Sequence, residues 1–218
     1  MNLIHKAMKK NSLKIVFVID ESGSMSGSES DVIGGFNGYV DKVRKDNPGE
    51  VVVSLYKFSD SVERVVANKK ISAIKKLTEE DYVPGGFTAL YDAIGQAVTD
   101  ADGEVAALTG EGKPDAVLFV IITDGQENAS REFTAAGVQA LIGTHERLLD
   151  WSFVYLGSGL ENLEDADKLG MKNKVSSKKA NLMSNFCCVA EVSANLICFD
   201  GKSKESKIGK LMEDLKDK

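Results

Sequence analysis

A chain of 218 residues, 43% hydrophobic and 28% charged, is long and apolar enough to build one large α/β domain, which excludes disorder over most of its length. Its formal net charge of −6, with basic residues only in scattered pairs such as Lys9-Lys10, Lys69-Lys70 and Lys178-Lys179, argues against a nucleic-acid surface. No window approaches the roughly 20 consecutive apolar residues of a membrane-spanning helix.

Residues 1–12 read as a loose N-terminal extension whose apolar nucleus, Leu3 and Ile4, is too short for a signal-peptide core. Residues 15–19 form a run of Val, Ile and Phe that stops at Asp20, the pattern of a strand buried on both faces of a parallel sheet. Open α/β sheets bind ligands just beyond the carboxyl ends of their strands. Asp20, Ser22 and Ser24 fall there, and they offer only oxygen. Oxygen-only sites suit hard cations such as Mg²⁺ and Ca²⁺.

Apolar residues recur with a helical period over 31–46, and Asn47-Pro48-Gly49 stops that helix. Residues 51–58 read as the second strand. A turn at Ser59-Asp60 is too short for a parallel crossover, so 61–68 is expected as an antiparallel edge strand. A polar connector with one helical turn spans 71–82, and residues 84–88 form a loop that opens a helix with Leu90, Ala93, Ile94, Ala97, Val98 and Ala101 inward. Residues 116–122 make the most hydrophobic strand, ending at Thr123-Asp124-Gly125. A helix over 132–149 with Phe133, Val138, Leu141, Ile142 and Leu148 inward follows, then a strand over 151–156 and a short acidic helix over 160–169. Residues 174–176 read as a short last strand and 178–199 as a closing helix, with a strand through 186–189 as the alternative. Residues 201–218 form a charged tail behind a domain spanning 13–200.

Strands separated by helices of this length give an α/β fold: a doubly wound, mostly parallel sheet with one antiparallel edge strand and helices on both faces. If the strands ending at Asp20 and Thr123 are central neighbours, Asp20 and Asp124 face each other where strand order reverses. Thr88 adds a hydroxyl at a helix start, completing a near-octahedral oxygen cage that suits Mg²⁺, with Mn²⁺ or Ca²⁺ as substitutes.

Asp20-x-Ser22-x-Ser24, Thr88 in G-G-F-T-A-L and Asp124 in I-T-D-G together resemble the von Willebrand factor A domain and its metal-ion-dependent adhesion site. The resemblance runs from Lys14 to at least Leu156 and includes Lys57-Phe58-Ser59-Asp60. It implies that Ser22 and Ser24 bind the metal directly, and that Asp20, Thr88 and Asp124 bind it directly or through water. It also implies that a protein partner supplies an Asp or Glu carboxylate to the last metal position. In bacteria and phages, single-domain intracellular proteins resembling this one accompany stress-resistance systems or assemble alongside ATPases. Around the metal, Met25, Phe87 and Gln126 are expected to touch the partner. Glu127 and Asn128 read either as residues behind the site or as caps of the helix that follows.

Two rivals carry different chemistry. A Mg²⁺-dependent phosphoryl-transfer enzyme also places an Asp after its first strand, but haloacid-dehalogenase-like enzymes need a second Asp two residues on, where this chain has Ser22. A purely structural metal would only stiffen the top of the sheet. Residues 110–114 mimic a phosphate loop without its preceding strand, its glycine spacing or a Ser/Thr after the lysine. The only two histidines, His5 and His145, lie in the loose terminus and in a helix, so no histidine-based nucleophile is expected. Cys187, Cys188 and Cys198 fit neither a disulfide framework nor a zinc pattern and read as small buried core residues. Unpaired thiols favour a cytoplasmic setting. The reading is a non-enzymatic, metal-dependent protein-binding module.

Overall fold

The computed structural model describes residues 12–46, 50–158, 163–177 and 182–198. The expected tail lies outside the described residues, as does the expected extension apart from Ser12. That residue opens the first strand, and its backbone N–H donates to Asp115 at 2.9 Å.

Among the described residues six strands form one sheet: β1 Ser12–Asp20, β2 Glu50–Phe58, β3 Val62–Lys70, β4 Ala116–Thr123, β5 Ser152–Ser158 and β6 Asn173–Ser177. Their spatial order is β3-β2-β1-β4-β5-β6. All pairs are parallel except β2–β3, the antiparallel edge expected from the tight turn at Ser59-Asp60. Strand order reverses between β1 and β4, which run in register from Leu13↔Ala116 to Ile19↔Ile122. A crevice therefore opens above Asp20 and Thr123.

Among the described residues five α-helices cover the two faces. They are α1 Glu29–Asp46, α2 Leu90–Ala106, α3 Ala135–Leu149, α4 Leu163–Lys168 and α5 Leu182–Cys198. Ile15, Phe17 and Ile19 of β1 pack with α1 and α5, while Val16 and Val18 pack with α2, α3 and α4 on the other face. This two-sided burial explains why the central strands show no polar alternation. Phe17 anchors the first face, its ring 5.4 Å from Phe36, 4.9 Å from Tyr39 and 6.1 Å from Phe186. Among the described residues no helix is long and apolar enough to cross a membrane.

The polar connector after β3 is ordered because α1 holds its backbone. The Asn37 amide donates to the Leu77 carbonyl at 2.9 Å and accepts the Leu77 N–H at 2.8 Å. Arg44 donates to the carbonyls of Ile71 and Ile74. Leu77 and Ile74 then fill the core beneath. The connector delivers residues 83–88 to the top of the sheet.

Several expectations are corrected. The helix expected from 132 opens at Ala135, because Asp92 accepts the N–H groups of Arg131, Glu132 and Phe133 at 2.7–2.9 Å. Thr134 instead caps α3 by accepting from Gly137 at 3.2 Å. Leu148 is 68% exposed, and His145 takes the inward position on that turn. The expected closing helix is present as α5 and takes in residues 186–189, so only its strand alternative falls. Cys187 is exposed and Cys188 half-buried, so neither is a fully buried core residue; the Cys198 side chain lies outside the described ones.

Candidate functional site

Asp20 is the last residue of β1 and fully buried. One carboxylate oxygen accepts the Ser22 N–H at 2.7 Å, and the other accepts the Thr123 hydroxyl at 2.5 Å across the β1–β4 boundary. Burial pushes its carboxyl above the ordinary value, against the pull of the bonds from Thr123 and Ser22, and the negative charge of Asp124 pushes the same way. The Tyr82 hydroxyl, delivered by the connector, donates to the Asp20 carbonyl.

Beyond Asp20 the chain makes a tight turn, Gly23–Met25, closed by Met25 N–H donating to the Ser22 carbonyl at 3.0 Å. Ser22 Oγ lies 3.0 Å from Ser24 Oγ, and Ser24 donates to Asp124 at 2.6 Å. Thr88, buried, is clamped through its backbone. Its N–H donates to the Asn128 side chain at 2.8 Å, and its carbonyl accepts the Asn128 N–H at 3.0 Å.

Gly125 reports where these oxygens point. A Cβ added there would stand 2.8 Å from Thr88 Oγ1, 2.9 Å from Ser24 Oγ and 3.4 Å from Asp20 Oδ2. One small volume above Gly125 is thus ringed by oxygens from two other loops, the turn after β1 and the loop before α2. Among the described residues no three His, Cys, Asp or Glu side chains gather into a cluster. Hydroxyls outnumber carboxylates in this one.

The structure brings Asp20, Ser22, Ser24, Thr88 and Asp124 together over the β1–β4 boundary. Phe87 and Gln126 are exposed beside them. Met25 is not available to a partner: it is 1% exposed and packs into the core under α1, because the tight turn directs it inward. Glu127 and Asn128 hold the start of α2 rather than α3. Glu127 accepts from Tyr91 N–H at 3.0 Å and from Ala129 and Ser130, while Asn128 holds Thr88. Behind them, the buried carboxylate of Asp165 accepts from Glu127 N–H and from the Tyr91 hydroxyl.

Sequence reasoning missed Gly125 and Thr123 as structural parts of the site, although both sit in the quoted I-T-D-G motif. The parallel register of β1 and β4 is the signal that sets Thr123 beside Asp20. It also missed Val83, which is 67% exposed on the same loop as Phe87.

An open, mostly parallel sheet with oxygen donors over its switch point defines a doubly wound α/β ligand-binding domain. The family model for the von Willebrand factor type A domain matches residues 14–146, and the chain belongs to that family. Domains of this kind are in general protein-interaction modules rather than enzymes, often with a metal site.

Among solved structures, the fold is similar to the PilB minor pilin of Streptococcus sanguinis, with 11% identity and a TM-score of 0.63 over 87% of this chain and 63% of that one. It is also similar to the vWF domain of the type V pili tip protein Mfa5 from Porphyromonas gingivalis (13% identity, TM-score 0.59, 88% of this chain and 98% of that one). A third is proximal thread matrix protein 1 from the mussel byssus with a zinc-occupied MIDAS motif, at 16% identity and a TM-score of 0.57 over 85% of this chain and 46% of that one. The chain spans less than two thirds of the length of the pilin and about half that of the matrix protein. No curated protein matches the sequence.

Proposed function

We propose that this chain is a metal-dependent protein-binding module in which Asp20, Ser22, Ser24, Thr88 and Asp124 hold a divalent cation, with Mg²⁺ the best fit and Mn²⁺ or Ca²⁺ as substitutes. The observation that carries the reading is the cradle at Gly125, where a single added carbon would meet oxygens of Thr88, Ser24 and Asp20. The donors are hydroxyl and carboxylate oxygens, the set preferred by hard cations. When bound, the cation would supply a positive pole to which a partner's Asp or Glu oxygen could bond. The residues themselves supply a rigid frame. Thr123 and the Ser22 N–H fix the Asp20 carboxylate, and Asn128 fixes Thr88. Phe87 and Gln126 stand exposed at the edge of the frame, where an arriving partner would meet them.

Calorimetric titration with MgCl₂ and MnCl₂ tests the cation half. The chain is expected to take up one cation, and Gly125→Ala, which places its methyl among the oxygens, to bind it at least about tenfold more weakly. Wild-type protein that binds neither cation would sink the proposal. Partner capture in Mg²⁺ and in EDTA tests the other half: retention is expected only with Mg²⁺ and only when Asp20 is intact. Equal retention by Asp20→Ala would overturn the carboxylate-capture role.

A further inference from the structure

The loop carrying Val83 and Phe87 is fixed at nearly every peptide. Val83 N–H donates to the Glu21 carboxylate at 2.7 Å, and Gly85 N–H to the Glu21 carbonyl at 2.8 Å. Gly23 N–H donates to the Gly86 carbonyl at 3.1 Å, and Phe87 N–H to Asp60 at 3.1 Å. Pro84 restrains its own φ. Gly86 takes a φ of +77° with Asp60 Oδ2 only 2.2 Å from where a Cβ would lie, so a side chain there would be strained and would clash. Glu21 is itself held by Lys57 at 3.0 Å.

This backbone presents two large apolar side chains to water, Val83 at 67% and Phe87 at 65% exposure. The patch is continuous with the oxygen cradle. Phe87 precedes Thr88, and the Gly23–Gly86 bond joins the loop between Ser22 and Ser24. A segment that brings its carboxylate to the cradle from the Phe87 side passes over this loop. Exposed Asp60 and Asp81 border the loop, so an acid-rich ligand would be repelled. A single carboxylate with an apolar neighbour meets both surfaces favourably.

We infer that the partner is a protein segment bearing one acidic residue with a large apolar residue beside it, seated on Val83 and Phe87. This rests on the cation-cradle reading above. In an extended segment, an apolar side chain about two residues from the acid shares its face. The rigid loop adds affinity because little ordering remains to be done on this side of the contact.

The test is selection of displayed peptides, each with a fixed central Asp, against the full chain in Mg²⁺, followed by anisotropy titration of an enriched peptide. Phe, Leu, Met or Trp is expected to be enriched about two residues from the Asp. The double variant Val83→Ser/Phe87→Ser is expected to bind that peptide roughly tenfold to hundredfold more weakly, the scale of one buried apolar side chain, while Mn²⁺ affinity measured by calorimetry stays unchanged. Replacing the peptide's apolar residue by Ser should cost wild type the same factor and cost the double variant little. If both proteins select the same residues, with Mg²⁺ and Asp still required, this inference fails and the cradle stands. An enriched peptide that still binds wild type in EDTA, and with its Asp replaced by Ala, overturns both.

Discussion

At the carboxyl ends of β1 and β4, Asp20 and Asp124 are met by hydroxyls and a backbone N–H. At the opposite end of the sheet, acids are met by cations. Lys14, at the start of β1 and 5% exposed, donates to Glu104 at 2.8 Å and to Asn68. Arg64 also donates to Glu104, lies 3.8 Å from Asp100 and stacks over Tyr56, whose hydroxyl donates to Asp100 at 2.8 Å. The lower cluster therefore closes on itself as two positive and two negative side chains. The upper cluster crowds acceptors around a point that no side chain of Gly125 fills. One arrangement pairs its charges with opposite ones; the other is the cradle in which a cation is proposed.

That contrast is sharpest at Asp20. Burial disfavours its ionised form in the cation-free fold, so an uncharged isostere relieves the protein even as it removes a donor. Asp20→Asn is expected to weaken Mn²⁺ binding by about a hundredfold or more, by calorimetry, and to leave the cation-free melting midpoint unchanged or higher. A lowered midpoint with cation affinity intact would reverse the roles assigned to the two ends.

Glu104→Ala should do the opposite. It removes the acid shared by Lys14 and Arg64, leaving them Asn68 and Asp100, and is expected to cost about 2–3 kcal/mol in urea unfolding, below a fully buried pair because Glu104 is partly exposed. Cation affinity is expected to stay within about twofold of wild type, since distant sites add independently. A large loss of cation binding would show that the two ends are coupled through β1.

The smallest expected effect is in acid. Burial alone would raise the Glu104 carboxyl, but the bonds from Lys14 and Arg64 outweigh it and hold it below the ordinary value. A carboxyl depressed in the folded state contributes stability at neutral pH. That stability is lost as pH falls from the carboxyl's ordinary value through its folded one. Glu104→Gln is therefore expected to flatten the acid side of the urea-midpoint profile, and an unaltered acid side would show that the lower cluster does not carry this pH dependence.

The order of residues determined the strands and which oxygens stand at their ends, for a local reason. A run such as Ile15 to Ile19 excludes other states by its burial on two faces, and its end at Asp20 needs no distant contact to be seen. The same holds for β4 and its end at Thr123. What only the tertiary structure decided depends on contacts between segments far apart in sequence. Helix α5 docks closely on α1 where Gly34 and Gly35 leave room for Met183 and Phe186; a Cβ at Gly35 would stand 2.2 Å from the Phe186 ring. The polar connector is ordered by Asn37 and Arg44, and the start of α3 is delayed by Asp92. Met25 went inward, and Val83 outward, because hydrogen bonds across three loops set their backbones. Residue type placed the oxygens near one another; the register of β1 against β4 and the bare Cα of Gly125 turned them into a cradle.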